Sequence, residues 1–420
     1  MSIPKGIGGL AAIGLVTLGT WALSSAPDTN QASAIAQCLG GLALAGFAAM
    51  MVITTRLGLV DRWFCGLDKA YTVHKWLAVT SMTLALAHIL LISLAQGGAH
   101  RGAPRQDMAT MLTHAGGPAI AFFILLAVVA VAGRKLRYER WQNIHKLMGL
   151  PYLMGLAHYY GSSTFGAFGA SWFSIWMDVV NVIGVAAWVY TVFFYQRAGF
   201  PYRYRVEAVR QVGTDTVEIS CQPKGKALVS RAGQFAFIKA DLPGGFGPHP
   251  FTISSGAEEQ TLQFSVKALG DHTAALAQRL APGDELAISG PYGQFDYTLG
   301  ASHQLWVAGG IGITPFRSFY RSGLADGFSV DLFYAFHGDD APYRDEVAAL
   351  DGPMLRTHLI DDTVQGFLTA EMIEQAVDGD GPYDVYFTGP TAMLTSLRAS
   401  LGASRLRIGR YHFEQFAFRG

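Results

Sequence analysis

The stretch "HKWLAVTSMTLALAH", residues 74–88, is an apolar run with a histidine at each end. Long apolar runs restrict this chain more than any other feature. A segment of roughly 20 apolar residues in lipid must satisfy its own backbone polar groups, so it crosses as a helix. Six runs occur in the first 196 residues, at about 6–24, 34–54, 71–94, 117–133, 143–160 and 173–194. They predict an α-helical membrane bundle of six spans. The first run also fits a signal peptide, with Lys5, an apolar core and then "ALSSAP".

Basic residues in the short loops set orientation. Arg56, Arg62 and Lys69 follow the second run, "GRKLRYER" follows the fourth, and Arg197, Arg203 and Arg205 follow the sixth. With six spans these loops share one side. "GSSTFGAFGA", after the fifth run, has no basic residue, and only "QGGAHRGAPRQD" argues weakly the other way. The expected placement is a multi-pass protein of the inner (plasma) membrane, with both termini and the second half of the chain cytoplasmic.

Histidine inside a membrane span is costly and marks function. The third run carries His74 and His88, and the fifth carries His145 and His158. Both runs cross in the same direction, so His74 matches His145 in depth and His88 matches His158. Spacings of 14 and 13 residues separate the two levels by about 20 Å. Fourteen residues return to within about 40° of the same helix face, whereas thirteen end about 140° away. Pro151 lies between His145 and His158 and can supply the missing rotation by breaking the turn. Two helices offering imidazoles at two matched depths fit two b-type haems, each with two axial histidines. Such irons have no open position and pass single electrons. His100 and His114 are read as surface histidines.

Composition excludes other classes. Only 15% of residues are charged and the formal net charge is zero, so there is no nucleic-acid footprint. Cys38, Cys65 and Cys221 form no zinc, iron–sulfur or haem-attachment pattern.

The chain changes character near residue 197. Three regions are expected: a membrane haem-binding domain over 1–196, a β-barrel over 197–300 and an α/β nucleotide domain over 301–420. In the barrel region, "AGQFAFIKA", "HPFTISS" (249–255) and "LQFSVKALGDHT" read as strands, the last leading into a helix. A flavin needs a strand backbone along its ring edge, a hydroxyl near N5 and an aromatic side chain. Thr252 and Phe251 suit these needs. Lys267 and the helix start after Gly270 suit a pyrophosphate, because helix N-termini attract anions. In the third region, "HQLWVAGGIGITPFRSFYRS" reads as a buried strand, a glycine turn and a helix opened by Pro315. That arrangement suits a nucleotide phosphate, although the GxGxxG fingerprint is absent.

In this order the motifs resemble the NADPH oxidase / ferric reductase family, from about residue 60 onward. "HPFTISS" resembles its flavin motif, which implicates His249, Pro250, Phe251 and Thr252. "VKALGDHT" resembles the flavin pyrophosphate segment, with Lys267, Gly270 and Thr273. "GGIGITPF" and "YFTGPTAM" resemble the nicotinamide motifs, with Gly309, Gly310, Gly312, Thr314, Pro315, Thr388, Gly389 and Pro390. "HFEQFAFRG" resembles the family's ending, where an aromatic stacks on the flavin; Phe418 takes that role here, with Phe416 second. The resemblance implies a ferredoxin-reductase-like dehydrogenase holding FAD, with Thr252, Thr388 and Phe418 at the hydride-transfer centre. It implies electron transfer from cytoplasmic NADPH (or NADH), through FAD and two haem b, to an outer acceptor. That acceptor is expected to be O2, giving superoxide, and the alternative is a ferric chelate.

Three departures stand out. Thr388 occupies a position where many members have cysteine. Ile92 occupies the place of a second outer histidine. No clear basic signature for a 2′-phosphate is present, leaving Arg317 or Arg344 as candidates. A histidine proton relay in a nucleotide-gated transporter is the reading from another class. No obligatory protein partner is evident.

Overall fold

The computed structural model describes residues 4–24, 31–95, 114–133, 136, 138–162, 171–242, 247–350, 352–377 and 381–414. The chain divides into two units, Met1–Gly199 and Phe200–Ala417.

The first unit is helical. Its elements are α1 (Lys5–Ser24), α2 (Gln31–Ile53), α3 (Gly58–Phe64), α4 (Leu67–Ala95), α5 (Gly116–Ala132), α6 (Tyr138–Lys146), α7 (Gly149–Ser162) and α8 (Trp172–Val189). A capping box starts α8: Ser174 N donates to Ser171 Oγ at 3.1 Å, and Ser171 N donates to Ser174 Oγ at 2.9 Å. This satisfies two N–H groups that the helix itself leaves unpaired. The helix then runs through a π turn, Tyr190–Phe194, into Tyr195–Ala198.

Central in this unit is α2, which packs against α1, α4 and α8. Lipid tails are as apolar as leucine, so small residues that allow close approach drive such packing. Ala36, Ala43, Ala45, Ala48 and Ala49 of α2 are buried. A Cβ on Gly41 would meet the Phe173 ring at 2.6 Å, and one on Gly184 would meet Ala48 Cβ at 2.8 Å.

Among the described residues, four helices are long and apolar enough to cross a membrane: Lys5–Ser24, Gln31–Ile53, Leu67–Leu94 and Trp172–Ala198. The other two of the six expected runs are not confirmed as spans. The fourth run forms a helix of only 17 residues, α5. The fifth run is two helices, α6 and α7, broken at Leu147–Met148. Pro151 has no N–H to give to the Leu147 carbonyl four residues back, and its ring crowds that carbonyl. The chain tightens instead. Leu147 N, Met148 N and Leu150 N donate to the carbonyls of Ile144, His145 and Leu147, three residues back, at 3.0, 3.0 and 2.9 Å.

The second unit contains two sheets. Strands β1 (Tyr202–Gly213), β2 (Thr216–Pro223), β3 (Phe235–Ala240), β4 (His249–Thr252), β5 (Leu262–Lys267) and β6 (Glu285–Tyr292) form an antiparallel sheet in the order β4-β3-β6-β1-β2-β5. A bridge between Ile253 and Phe264 joins its two ends and closes a barrel. Closure removes the exposed sheet edge. Val206, Ile219, Phe264, Val266, Leu286 and Ile288 fill the interior. Helix α9 (Asp271–Arg279) follows β5.

The second sheet is wholly parallel, in the order β11-β10-β7-β8-β9, from β7 (His303–Gly309), β8 (Ser329–Phe336), β9 (Leu355–Asp361), β10 (Tyr383–Thr388) and β11 (Ile408–Phe413). A parallel sheet is covered on both faces, so its strands are continuously apolar. Trp306 and Phe316 pack in one layer, while Leu305, Val307 and Leu397 pack in the other.

Candidate functional site

The histidines predicted to pair do meet. The His74 and His145 ring centres are 6.1 Å apart, and those of His88 and His158 are 6.0 Å apart. The tightened turn before Pro151 supplies part of the rotation that thirteen helical residues lack. Each 3₁₀-type residue turns about 20° further than an α residue, so three add about 60°. Two imidazoles on one metal, with bonds of about 2 Å and a further 1 Å or so from nitrogen to ring centre, stand about 6 Å apart. Both pairs have the spacing of axial ligands.

Their surroundings differ. His88 Nδ1 lies 2.7 Å from the Ala36 carbonyl of α2 and donates to it, which fixes the ring and leaves Nε2 for a ligand. The Nδ1 atoms of His74 and His145 are buried without a hydrogen-bond partner. An orphaned buried nitrogen is costly unless the site holds another group. His145 stacks on Trp141, with centres 5.1 Å apart and an interplanar angle of 7°. Trp141 Nε1 in turn donates to the Ala130 carbonyl at 2.9 Å. One turn before His74, Tyr71 OH accepts from Arg56 Nε at 2.6 Å.

A cavity of about 280 Å³ surrounds the His88/His158 pair. Glycine keeps it open. A Cβ on Gly40 would stand 3.1 Å from the His88 ring, and one on Gly116 would stand 2.9 Å from the His158 ring. A flat macrocycle needs that clearance. Among the described residues, the lining includes Ile92, Phe123, Tyr159 and Phe173 and contains no Lys, Arg, Asp or Glu.

In the barrel, β4 places His249, Pro250, Phe251 and Thr252 opposite Ile238, Phe237, Ala236 and Phe235 of β3. The His249 ring stacks on His272 at 3.8 Å, and Phe251 lies 6.2 Å from the same ring. Helix α9 therefore starts beside the flavin-motif strand. Burial, with His249 adding, pushes the His272 imidazole down to about 3. Thr273 Oγ1 accepts from Leu269 N and Gly270 N at 2.9 and 3.0 Å, so it caps the helix. Lys267 is engaged: its ammonium pairs with Asp340.

At the parallel sheet, the glycine turn after β7 lies against the end of β10. A Cβ on Gly312 would come 2.3 Å from the Thr388 carbonyl oxygen, and Gly310 has φ +54°. Only glycine suits these two positions. Thr388 is buried and donates its hydroxyl to the Gly312 carbonyl. Thr314 and Pro315 open α10 (Thr314–Arg321). Gly389 and Pro390 follow β10 and abut Gly309, which a Cβ would bring within 2.8 Å of Pro390 Cδ.

Of the two candidates for the 2′-phosphate, Arg317 is turned inward, whereas Arg344 stays half-exposed. Arg317 is 1% exposed, and its guanidinium donates to Glu346, Glu218, Gln263 and the Ser254 carbonyl while lying 4.1 Å above the Tyr343 ring. Every donor faces the interior. Arg344 pairs at 3.4 Å with its neighbour Asp345 on α11 (Arg344–Ala348). Phe416 and Phe418 lie outside the described residues.

Sequence reasoning missed His272, the slot glycines and Arg56. "GDHT" displays His272 beside a phosphate-type helix start, but no local pattern signals that Gly40 or Gly116 faces a histidine.

An apolar helical bundle, a flavin-type barrel and a parallel nucleotide sheet together define a membrane flavoprotein oxidoreductase. Comparison with known proteins gives the same order. Residues 39–156 match the ferric reductase-like transmembrane component, 202–296 an FAD-binding domain, and 306–399 an oxidoreductase NAD-binding domain. Ferredoxin–NADP reductase B of Sorangium cellulosum is 34% identical over 36% of this chain and 64% of its own length. The 2-halobenzoate 1,2-dioxygenase electron transfer component of Burkholderia cepacia is 30% identical over 44% of this chain and 58% of its own. NADPH oxidase 1 of Rattus norvegicus is 29% identical over 25% of this chain and 19% of its own. The matched part of the chain thus spans less than two thirds of each of these relatives. The chain thus carries, in this order, a ferric reductase-like transmembrane component, an FAD-binding domain and an oxidoreductase NAD-binding domain.

Proposed function

We propose that this protein moves electrons across a membrane from NAD(P)H to an acceptor on the outer side, with FAD and two haem b as its resident groups. The observation that carries the proposal is the pair of histidine pairs, 6.1 and 6.0 Å apart, on helices where a lone imidazole would be costly. FAD would split the electron pair of a hydride, and the haems would pass single electrons through the low-dielectric layer.

The residues have separate tasks. His74 with His145, and His88 with His158, hold one iron each. Gly40 and Gly116 keep the outer slot flat, and the Ala36 carbonyl fixes the His88 tautomer. His249, Pro250, Phe251 and Thr252 seat the flavin, and Gly270 begins the helix at its pyrophosphate. Gly309, Gly310, Gly312, Gly389 and Pro390 let the nucleotide approach the sheet edge, Thr314 and Pro315 start the helix behind it, and Thr388 fixes the turn. Phe418, outside the described residues, is assigned the flavin-stacking role from the resemblance of the C-terminal segment alone. The basic loops place the second unit on the cytoplasmic side.

O2 is the acceptor proposed, supported by a cavity whose lining, among the described residues, is largely apolar and has no Lys or Arg to hold an anionic ferric chelate. One hydride carries two electrons, so two O2 become two superoxide with release of one proton. Purified protein in liposomes should reduce cytochrome c in a superoxide dismutase-sensitive manner. Unchanged ferric-chelate reduction without oxygen, and no superoxide, would instead make it a metal reductase.

A further inference from the structure

We propose that the nucleotide site selects NADH over NADPH, and that His337 and Asp362, just beyond β8 and β9, set the choice. The proposal rests on the reading that the parallel sheet binds a nicotinamide nucleotide. Ligands of such sheets sit outside the carboxyl ends of the strands, and the group after the second strand reads the ribose: a carboxylate for a 2′-hydroxyl, an arginine for a 2′-phosphate.

In this sheet β7 carries the glycine turn and β8 is its neighbour on one side, followed by β9. The register aligns Gly309 with Ala335, and Phe336 with Asp361. His337–Gly338 and Asp361–Asp362 therefore emerge together at the edge where the glycine turn lies. His337 is 77% exposed, and its Nδ1 lies 2.6 Å from Asp362 Oδ1. Asp361 accepts from Gly338 N and Thr363 N, both at 3.0 Å. Hydrogen bonds from the Thr363 side chain, then from the Gly338 and Thr363 amides, hold its carboxyl below the usual carboxylate range. Asp339 is exposed beside them.

Among the described residues, no arginine pairs with His337, Asp361 or Asp362. Residues 301–420 contain nine arginines, no lysine, and fifteen aspartates and glutamates. Arg317 is interior, Arg344 faces Asp345, and Arg356 pairs at 2.9 Å with Asp331, five residues back from Phe336 along β8. His337 already has Asp362 as its partner, so even a protonated ring leaves the pair neutral. A 2′-phosphate brings a charge of about −1.5 to −2 and would meet carboxylates. A 2′-hydroxyl can donate to them.

The test uses full-length protein in nanodiscs, with FAD bound, at pH 7.5. Flavin reduction should show kcat/KM for NADH at least about twentyfold above that for NADPH. ADP-ribose should compete with NADH, and its 2′-phosphorylated form should bind at least about tenfold more weakly. A double variant, His337→Arg with Asp362→Ala, should raise the NADPH:NADH ratio of kcat/KM at least about tenfold, with an unchanged melting temperature to show that it folds. Equal or greater efficiency with NADPH in the wild type, or equal binding of the two ADP-ribose forms, would overturn the proposal. Reduction by neither nucleotide would overturn the nucleotide reading itself, and the proposal with it.

Discussion

The two units bury polar groups for opposite reasons. In the helical unit the buried polar groups of interest are imidazoles, and two of them have an Nδ1 with no partner inside the protein. In the second unit the main buried polar cluster is a network of Arg317, Glu218, Glu346, Tyr343 and Ser265, and all three nitrogens of the guanidinium are engaged. That network ties barrel strands to α10 and α11, while the residues assigned to ligands lie along strand ends. Orphaned buried imidazole nitrogens therefore mark the site in the first unit, whereas the second unit sets its satisfied arginine network beside isolated orphans such as Thr216 Oγ1 and Asp340 Oδ1.

The largest expected effect tests the structural side. Arg317→Met removes one partner of a buried ionic network and leaves Glu218 without its countercharge. The second unit should lose about 3–5 kcal/mol, read as a lowered denaturant midpoint. A loss below about 1 kcal/mol would mean that the network is no more than a surface-type pair. On the functional side, His88→Ala should cut transmembrane electron transfer at least about 100-fold, while nucleotide-driven flavin reduction and the melting temperature stay near wild type. If both activities fall together, the imidazole is structural and the contrast between the units fails.

Smaller effects sharpen the comparison. Gly116→Val puts methyl groups where the His158 ring stands and should lower occupancy of the outer site about tenfold, leaving the inner pair loaded. The weakest effect concerns His272. Its folded pKa of about 3 lies below the unfolded value. Between about pH 3 and 6.5 the unfolded chain takes a proton that the folded chain refuses, so stability falls as pH drops, by about 1.4 kcal/mol per unit at most. His272→Phe should flatten the acid limb of unfolding measured over this window. An unaltered slope would show that the ring is accessible in the fold.

Much of this was legible in the residues, because membrane helices and nucleotide turns obey strong local rules. The apolar runs predicted helices, and His74, His88, His145 and His158 were paired from depth alone. Phase was harder. Thirteen residues put His158 on the wrong face, and the remedy is a local tightening that Pro151 hints at without specifying. Span lengths were misjudged where hydrophobicity outlasted the helix, since the fifth run contains a break that composition does not reveal. Arg317 was misread because sequence shows a cation but not its partner: Glu218 is 99 residues away. The slot glycines were invisible for the same reason, because their role depends on which neighbouring helix they face.

Counting haem in the purified wild type and in His74→Ala and His88→Ala tests the central claim most directly. Two haems per chain should fall to one in each variant, and the wild-type spectrum should be that of low-spin iron with two imidazoles. A wild type lacking haem, or either variant retaining two, would contradict the account.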